Sequence, residues 1–487
     1  MSAPAAAIGS PRRIFSLRDY WIAAGGLSIA GAIIFALAGQ SFVSSFLASF
    51  LLALCAYPSM RYGTGSGYDV PAIPILSAAY GVQFALPVFF SGGTLWLVGG
   101  YHTVDPSSID AALVMAIVAF LAFLLVCYSR PVNQLVAKLP ALNLHLDRVR
   151  ALAYVLVFSA LVLASSRYFT SLGPEEQTTL SGLYRVLQNQ LLVAIGIQAW
   201  LTYTQKGLWM RLLYYALIAA AVVEGMSSGF LEATLAPVGI MFAAQWIYQR
   251  RLNKALAAAC VATLLLLNPV KADFRNEIWY AGGDSASRPQ KALLWIESGI
   301  DFWTDVIAGR GHGDDAALQL VRRTSMVDTV AHVYESTPDT VPYYLGETYS
   351  YFLYSLVPRI LWPEKPVTSA NKTLAVDYGL TTEEGAERST FGISLIGEGF
   401  ANFGWFGSTL AMVAVALALL VLMRLFANRD SGPGGYAVFF AFFIFFLNGL
   451  GSSAEILLGN ILQGTIASYV LLYWAIERRP RRAGAGT

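Results

Sequence analysis

Residues 109–128, IDAALVMAIVAFLAFLLVCY, contain one ionisable side chain, Asp110, in twenty positions. A stretch of this kind has few folding options. In lipid every backbone amide must find its partner inside its own segment, so about 20 mostly apolar residues form one crossing helix. About twelve such runs recur, near residues 20–38, 41–58, 71–90, 109–128, 150–167, 187–204, 209–226, 230–248, 253–270, 405–426, 436–452 and 455–476. The fold class expected is therefore an all-α polytopic membrane protein of about 12 transmembrane helices. Composition agrees: 56% of residues are hydrophobic and 13% charged, where soluble domains carry about 25% charged.

The first run follows a positive flank, SPRRIFSLRDYW, and ends in Ala36-Leu37-Ala38. It is too long for the apolar core of a secretory signal, so an uncleaved first helix is expected. Cys55, Cys127 and Cys260 lie in apolar runs and are odd in number, which gives no disulfide framework. His102, His145, His312 and His332 are scattered without metal-site spacing, so neither a metal nor a cofactor is expected.

Lysines and arginines orient the bundle, because short cytoplasmic loops retain them. With the N-terminus inside, inner segments hold 19 of the 32 cationic residues, and short outer loops hold only Arg167 and Arg185. The remaining 11 lie between residues 271 and 403. Both termini are then cytoplasmic, and parity requires residues 271–403 to begin and end outside. Three parts result: a membrane bundle over 1–270, a large external region over 271–403, and three closing helices with a basic tail over 404–487.

The external region is where chemistry is expected, since long loops are usually functional. It carries 18 acidic residues against 11 basic ones, which disfavours nucleic acid or another polyanion as a general partner. Within it, YYLGETYSYFLYSLVPRIL either fails to cross or crosses with a partner span not evident in the sequence, and the reading expected is a re-entrant or interfacial helix. Tyr349, Phe352, Leu353 and Leu356 make its apolar stripe, and Pro358 and Pro363 end it. Arg275, Arg322, Arg323, Arg359, Lys365 and Arg388 recur beside apolar or aromatic residues. Each alone can be a cation reaching for lipid headgroups; together they suit an anionic ligand, because guanidinium groups bind phosphate oxygens bidentately. Asp328, His332 and Glu335 share one helical face, either as a solvated surface or as a site in which His332, partnered by Asp328, accepts a proton. Glu398, set between glycines at the membrane boundary, is a functional candidate because a carboxylate is costly there.

A many-helix chain with one large late external loop, GETYSYFLYSLVPRILWPEKP over 346–366 and GEGFANFGWFG over 397–407 resembles the Wzy-type polymerases of O-antigen and exopolysaccharide repeat units. The resemblance implies a glycosyltransferase of the bacterial inner membrane. Its substrates would be undecaprenyl-diphosphate-linked oligosaccharides, and its pathway partners a flippase and a chain-length regulator. It implies diphosphate binding by the cations named above, acceptor activation by Glu398 or His332, and aromatic contacts to sugar from Tyr349 and Trp362. O-antigen ligases share the architecture, and a lipid-linked oligosaccharide transporter is the alternative from another class.

Overall fold

The computed structural model describes residues 17–63, 70–90, 103–170, 174–280, 287–310, 324–357, 361–362, 364–365, 369–388 and 391–477. In chain order the helices are α1 (Leu17–Leu37), α2 (Phe42–Gly63), α3 (Ala72–Phe84), α4 (Pro106–Tyr128), α5 (Arg130–Ala137), α6 (Arg148–Thr170), α7 (Pro174–Gln205), α8 (Leu208–Ser227), α9 (Leu231–Gln249), α10 (Lys254–Leu267), α11 (Lys271–Tyr280), α12 (Arg288–Ile307), α13 (Val327–Ser336), α14 (Glu347–Ser355), α15 (Ala370–Asp377), α16 (Glu383–Arg388), α17 (Ser394–Phe426), α18 (Gly432–Gly449) and α19 (Ala454–Leu472). No strand occurs among the described residues.

The chain is a multi-pass membrane protein. Among the described residues nine helices are long and apolar enough to cross a membrane, or ten if α10 and α11, bent by 64° at their junction, form one broken span. The sequence count of twelve is higher because it includes 187–204 and 230–248. Both lie in helices of sufficient length, 32 residues in α7 and 19 in α9, but their polar content lowers the mean hydropathy. In α7 those polar residues face the protein interior. Gln190 is fully buried and accepts hydrogen bonds from Tyr154 Oη at 2.7 Å and Ser468 Oγ at 3.1 Å. Such pairing is what allows an amide inside a bundle.

Two ends of the bundle can be told apart. At one, the 142–144 segment pairs with Leu425 and Ser431, Asp147 with Ala475, and Glu477 with His145. Arg61 lies 4.4 Å from the Tyr128 ring centroid, and Arg424 Nε donates to Leu139 O. At the other end the late loop region meets the interhelical turns. The Met326 amide bonds Gln83 O, Glu335 accepts from the Asp105 amide and Ser108 Oγ, and the Leu395 amide bonds Leu450 O. Helix α4 runs between the two, from Asp105 at the second end to Tyr128 at the first, so Arg61 and the 324–336 segment lie at opposite ends of the bundle.

Two elements at the second end are not simple crossings. Helix α17 is broken at Phe403 and Gly404, where glycine takes φ 60° and ψ −147°. A short arm over 394–402 folds back beside a long arm over 405–426: Ser408 Oγ donates to Ile396 O at 2.9 Å. In a straight helix these residues would stand about 18 Å apart. The close approach needs glycines, since a Cβ on Gly407 would lie 2.0 Å from Gly399 O.

The second element is α14. It starts beside the first turn of α19 and follows that helix to Gln463, whose Nε2 donates to Ser355 O, about 14 Å along the axis. The chain then returns, with the Ala370 amide bonding Glu455 Oε2 and Asn371 Nδ2 bonding Ser452 Oγ. The chain thus runs out along α19 and back between Glu347 and Ala370. Leu353, Val357, Leu361 and Trp362 leave apolar surface exposed along it, which suits contact with acyl chains.

Candidate functional site

The site forms where the root of the re-entrant excursion meets the break in α17. Leu345 and Gly346 take consecutive left-handed conformations, with φ 50° and 98°, and turn the chain into α14. The Tyr344 amide bonds Ala401 O at 3.0 Å, and the Gly346 amide bonds Asn402 Oδ1 at 2.9 Å. Asn402 Nδ2 in turn donates to Thr348 Oγ1 and to Glu398 O, both at 2.8 Å.

Glu398 is the joint of this arrangement. It is fully buried; Oε1 accepts from Thr348 Oγ1 at 2.9 Å and Oε2 from the Ala454 amide at 2.7 Å. One carboxylate thus ties the short arm of α17 to α14 and to the N-terminus of α19, where the helix dipole favours an anion. The sequence singled out Glu398 as a functional candidate. Its geometry is that of a positioning group, with each oxygen already engaged. Glu398→Ala strands two buried donors, at about 1–3 kcal/mol each, so a marked fall in the detergent unfolding temperature is expected. Glu398→Gln keeps volume and one acceptor, and should unfold between that variant and the wild type while retaining function. Loss of function in Glu398→Gln at an unchanged unfolding temperature would instead give Glu398 a proton-transfer role.

Beside this joint lies an open pocket of about 390 Å³, lined by Thr340, Val341, Pro342, Tyr343, Tyr344, Glu347 and Asp377. The Tyr344 hydroxyl donates a short hydrogen bond to Asp377 Oδ2. Burial, reinforced by that carboxylate, raises the Tyr344 hydroxyl well above the ordinary tyrosine range, so it stays protonated. Glu347 and Asp377 are both exposed to the opening. Glu347 sits in the first turn of α14, where an anion is favoured.

His332 and Asp328 do not pair as expected. Asp328 accepts from Ser325 Oγ and the Thr329 amide, both at 2.9 Å, while His332 Nε2 donates to Tyr378 O at 2.8 Å. Helical spacing puts the two on one face, but unsatisfied amides in the first turn of α13 compete for the carboxylate. Burial pushes the Asp328 carboxyl up to about 6. The bond to Tyr378 O fixes the ring proton of neutral His332 on Nε2.

The cations expected to converge on an anion are only partly described. Arg322, Arg323 and Arg359 lie outside the described residues, as does the side chain of Arg388, which closes α16. Arg275 belongs elsewhere: Nε donates to Gly229 O at 2.9 Å and the guanidinium covers the Phe230 ring at 4.6 Å. It sits by a satellite core built on Phe274 and Trp295, stacked 4.7 Å apart. Lys365 does belong to the re-entrant root, where Nζ donates to Val357 O at 3.1 Å. Its charge acts on Glu455, together with that of Arg185 from α7, a residue the sequence reading had left in a short outer loop.

Of the aromatic residues expected to hold sugar, Tyr349 stacks on Phe403 at 6.2 Å and Trp362 stands edge-on to Tyr354 at 6.0 Å. Neither lines the pocket; Tyr343 and Tyr344 do. Tyr343 and Tyr344 lie in the aromatic stretch the sequence singled out, but their meeting with Thr348, Asn402 and Asp377 was missed because only the turn at 345–346 and the break in α17 bring them together.

Residues 109–479, most of the chain, match the family described as a domain of unknown function, DUF8712, and the chain belongs to that family. No curated protein and no solved structure matches it.

Proposed function

We propose that this member of the DUF8712 family joins lipid-linked oligosaccharide repeat units into a cell-surface polysaccharide, by glycosyl transfer at the outer face of a bacterial inner membrane. The observation that carries this reading is an adjacency. A pocket of tyrosines and carboxylates opens at the root of a re-entrant segment whose far side exposes Leu353, Val357, Leu361 and Trp362. A glycan on a polyprenyl diphosphate has that same division between polar head and apolar tail.

In this reading the sugar lies against Tyr343 and Tyr344 and the prenyl chain lies along the re-entrant segment. The diphosphate sits between them, near Lys365 and Arg185. A diphosphate leaves without a general acid, but its charge must be stabilised as the glycosidic bond breaks, a task suited to fixed cations. The attacking hydroxyl then needs one base, and Glu347 is the exposed carboxylate at the pocket rim that can serve. Glu398 keeps the pocket in shape from behind.

Broken helices also build substrate sites in transporters, so the folded-back α17 favours a second reading, movement of the same lipid-linked glycan across the bilayer. Both are tested with purified protein in liposomes carrying labelled lipid-linked repeat units. Polymer formation without transbilayer movement is the expected result, and in cells deletion should leave single repeat units but no long chains. Movement without polymer establishes the transport reading. Transfer only to a lipid core acceptor establishes ligation.

A further inference from the structure

Among the described residues, the pocket over Tyr343 and Tyr344 has one sign of charge. Of the seven described residues that line it two are carboxylates, Glu347 and Asp377, and none is a lysine, arginine or histidine. Its aromatic wall is fixed from behind. Tyr343 lies 6.3 Å from the Phe400 ring, its hydroxyl is the group a Cβ on Gly404 would meet at 3.4 Å, and the Tyr344 amide is bonded to Ala401 O. Tyr344 holds Asp377 in place through its hydroxyl.

We infer that this pocket is a subsite for uncharged or amine-bearing sugar residues and that it excludes uronic acids. The inference rests on the glycan-transfer reading and adds the substrate class to it. Fixed carboxylates accept hydrogen bonds from sugar hydroxyls, and charged acceptors make the stronger bonds. Ring faces of tyrosine suit the apolar face of a pyranose. An incoming carboxylate meets two like charges with no cation among the described lining residues to offset them, and that repulsion discriminates between ligands otherwise alike. The pocket's 390 Å³ lies at the small end of the ligand-site range, about 300–1,000 Å³, which fits a short stretch of glycan. Tyr344 supports the selection, because a hydroxyl held protonated remains a donor to Asp377 and adds no third negative charge.

The test is saturation-transfer NMR on the full chain in nanodiscs, with maltotriose, the glucosamine trimer and trigalacturonate as probes at equal concentration. Transfer to the first two is expected to exceed transfer to trigalacturonate at least tenfold. The double variant Glu347→Gln/Asp377→Asn should raise trigalacturonate to within about threefold of maltotriose. Both side chains are exposed, and an unchanged unfolding temperature confirms that the variant is folded. Equal transfer from trigalacturonate to the wild type, no transfer from any trimer, or selectivity unaltered in the folded double variant each overturns the inference. The liposome assay keeps the two levels apart. Charge selection in a protein that makes no polymer retires the polymerase reading and keeps the subsite. Polymer formation without charge selection retires the subsite and keeps the polymerase.

Discussion

Glu347→Gln should cut polymer formation in liposomes by about two to four orders of magnitude while leaving thermal unfolding as in the wild type. The side chain is exposed at the rim of the tyrosine pocket and occupies the first turn of α14, so its removal disturbs no packing. Glutamine keeps the shape and hydrogen-bonding reach but cannot accept the proton of an attacking hydroxyl. A base at this position contributes only to the step in which the new glycosidic bond forms. Turnover should therefore fall with little change in the lipid-linked substrate concentration giving half-maximal rate. Activity within tenfold of wild type would move the proton acceptor to Asp377, the other exposed carboxylate of the pocket.

Gly407→Ala is expected to be among the most damaging single-methyl changes at the described glycines. The added Cβ would stand 2.0 Å from Gly399 O and 2.8 Å from its carbonyl carbon. Backbone atoms of the facing arm cannot swing aside as the end of a flexible side chain can. Overpacking costs about 1–3 kcal/mol where side chains can adjust, and here the upper end or more is expected. Opening the two arms of α17 also pulls Glu398 and Asn402 away from Thr348 and Gly346, so the pocket should lose shape along with stability. Unfolding temperature in detergent and polymer yield should fall together. Gly239→Ala, in α9 with no atom within 4 Å of the added methyl, should change neither. Wild-type stability in Gly407→Ala would show that the arms do not pack as described.

Each part of the structure was readable from sequence to the extent that a local pattern encodes it. The apolar runs located the crossing helices because lipid imposes a length and a composition. The same measure understated α7, since hydropathy counts Asn189, Gln190 and Gln198 without registering that they are buried, Gln190 accepting from Tyr154 and Gln198 Nε2 donating to Met210 O. The apolar stripe at 349–356 marked a helix, and α14 spans Glu347–Ser355. Glu398 stood out by location. Its partners did not, because Thr348 and Ala454 lie 50 and 56 residues away. For His332 and Asp328 the spacing was right and the partnership wrong: periodicity assigns a face but does not say which donor a carboxylate will choose. The pocket was invisible, since Tyr344 and Asp377, separated by 33 residues, meet only after two turns have formed.

The bond from Glu398 to the Ala454 amide bears on the order in which the protein is made. Every described residue lining the pocket precedes position 378, yet the group that braces the pocket takes one of its two donors from α19, which is synthesised after all of them. A chain still in synthesis, with α17 already inserted, carries the described pocket residues and an unfinished brace. The proposed glycan site is therefore completed only once α19 has joined the bundle.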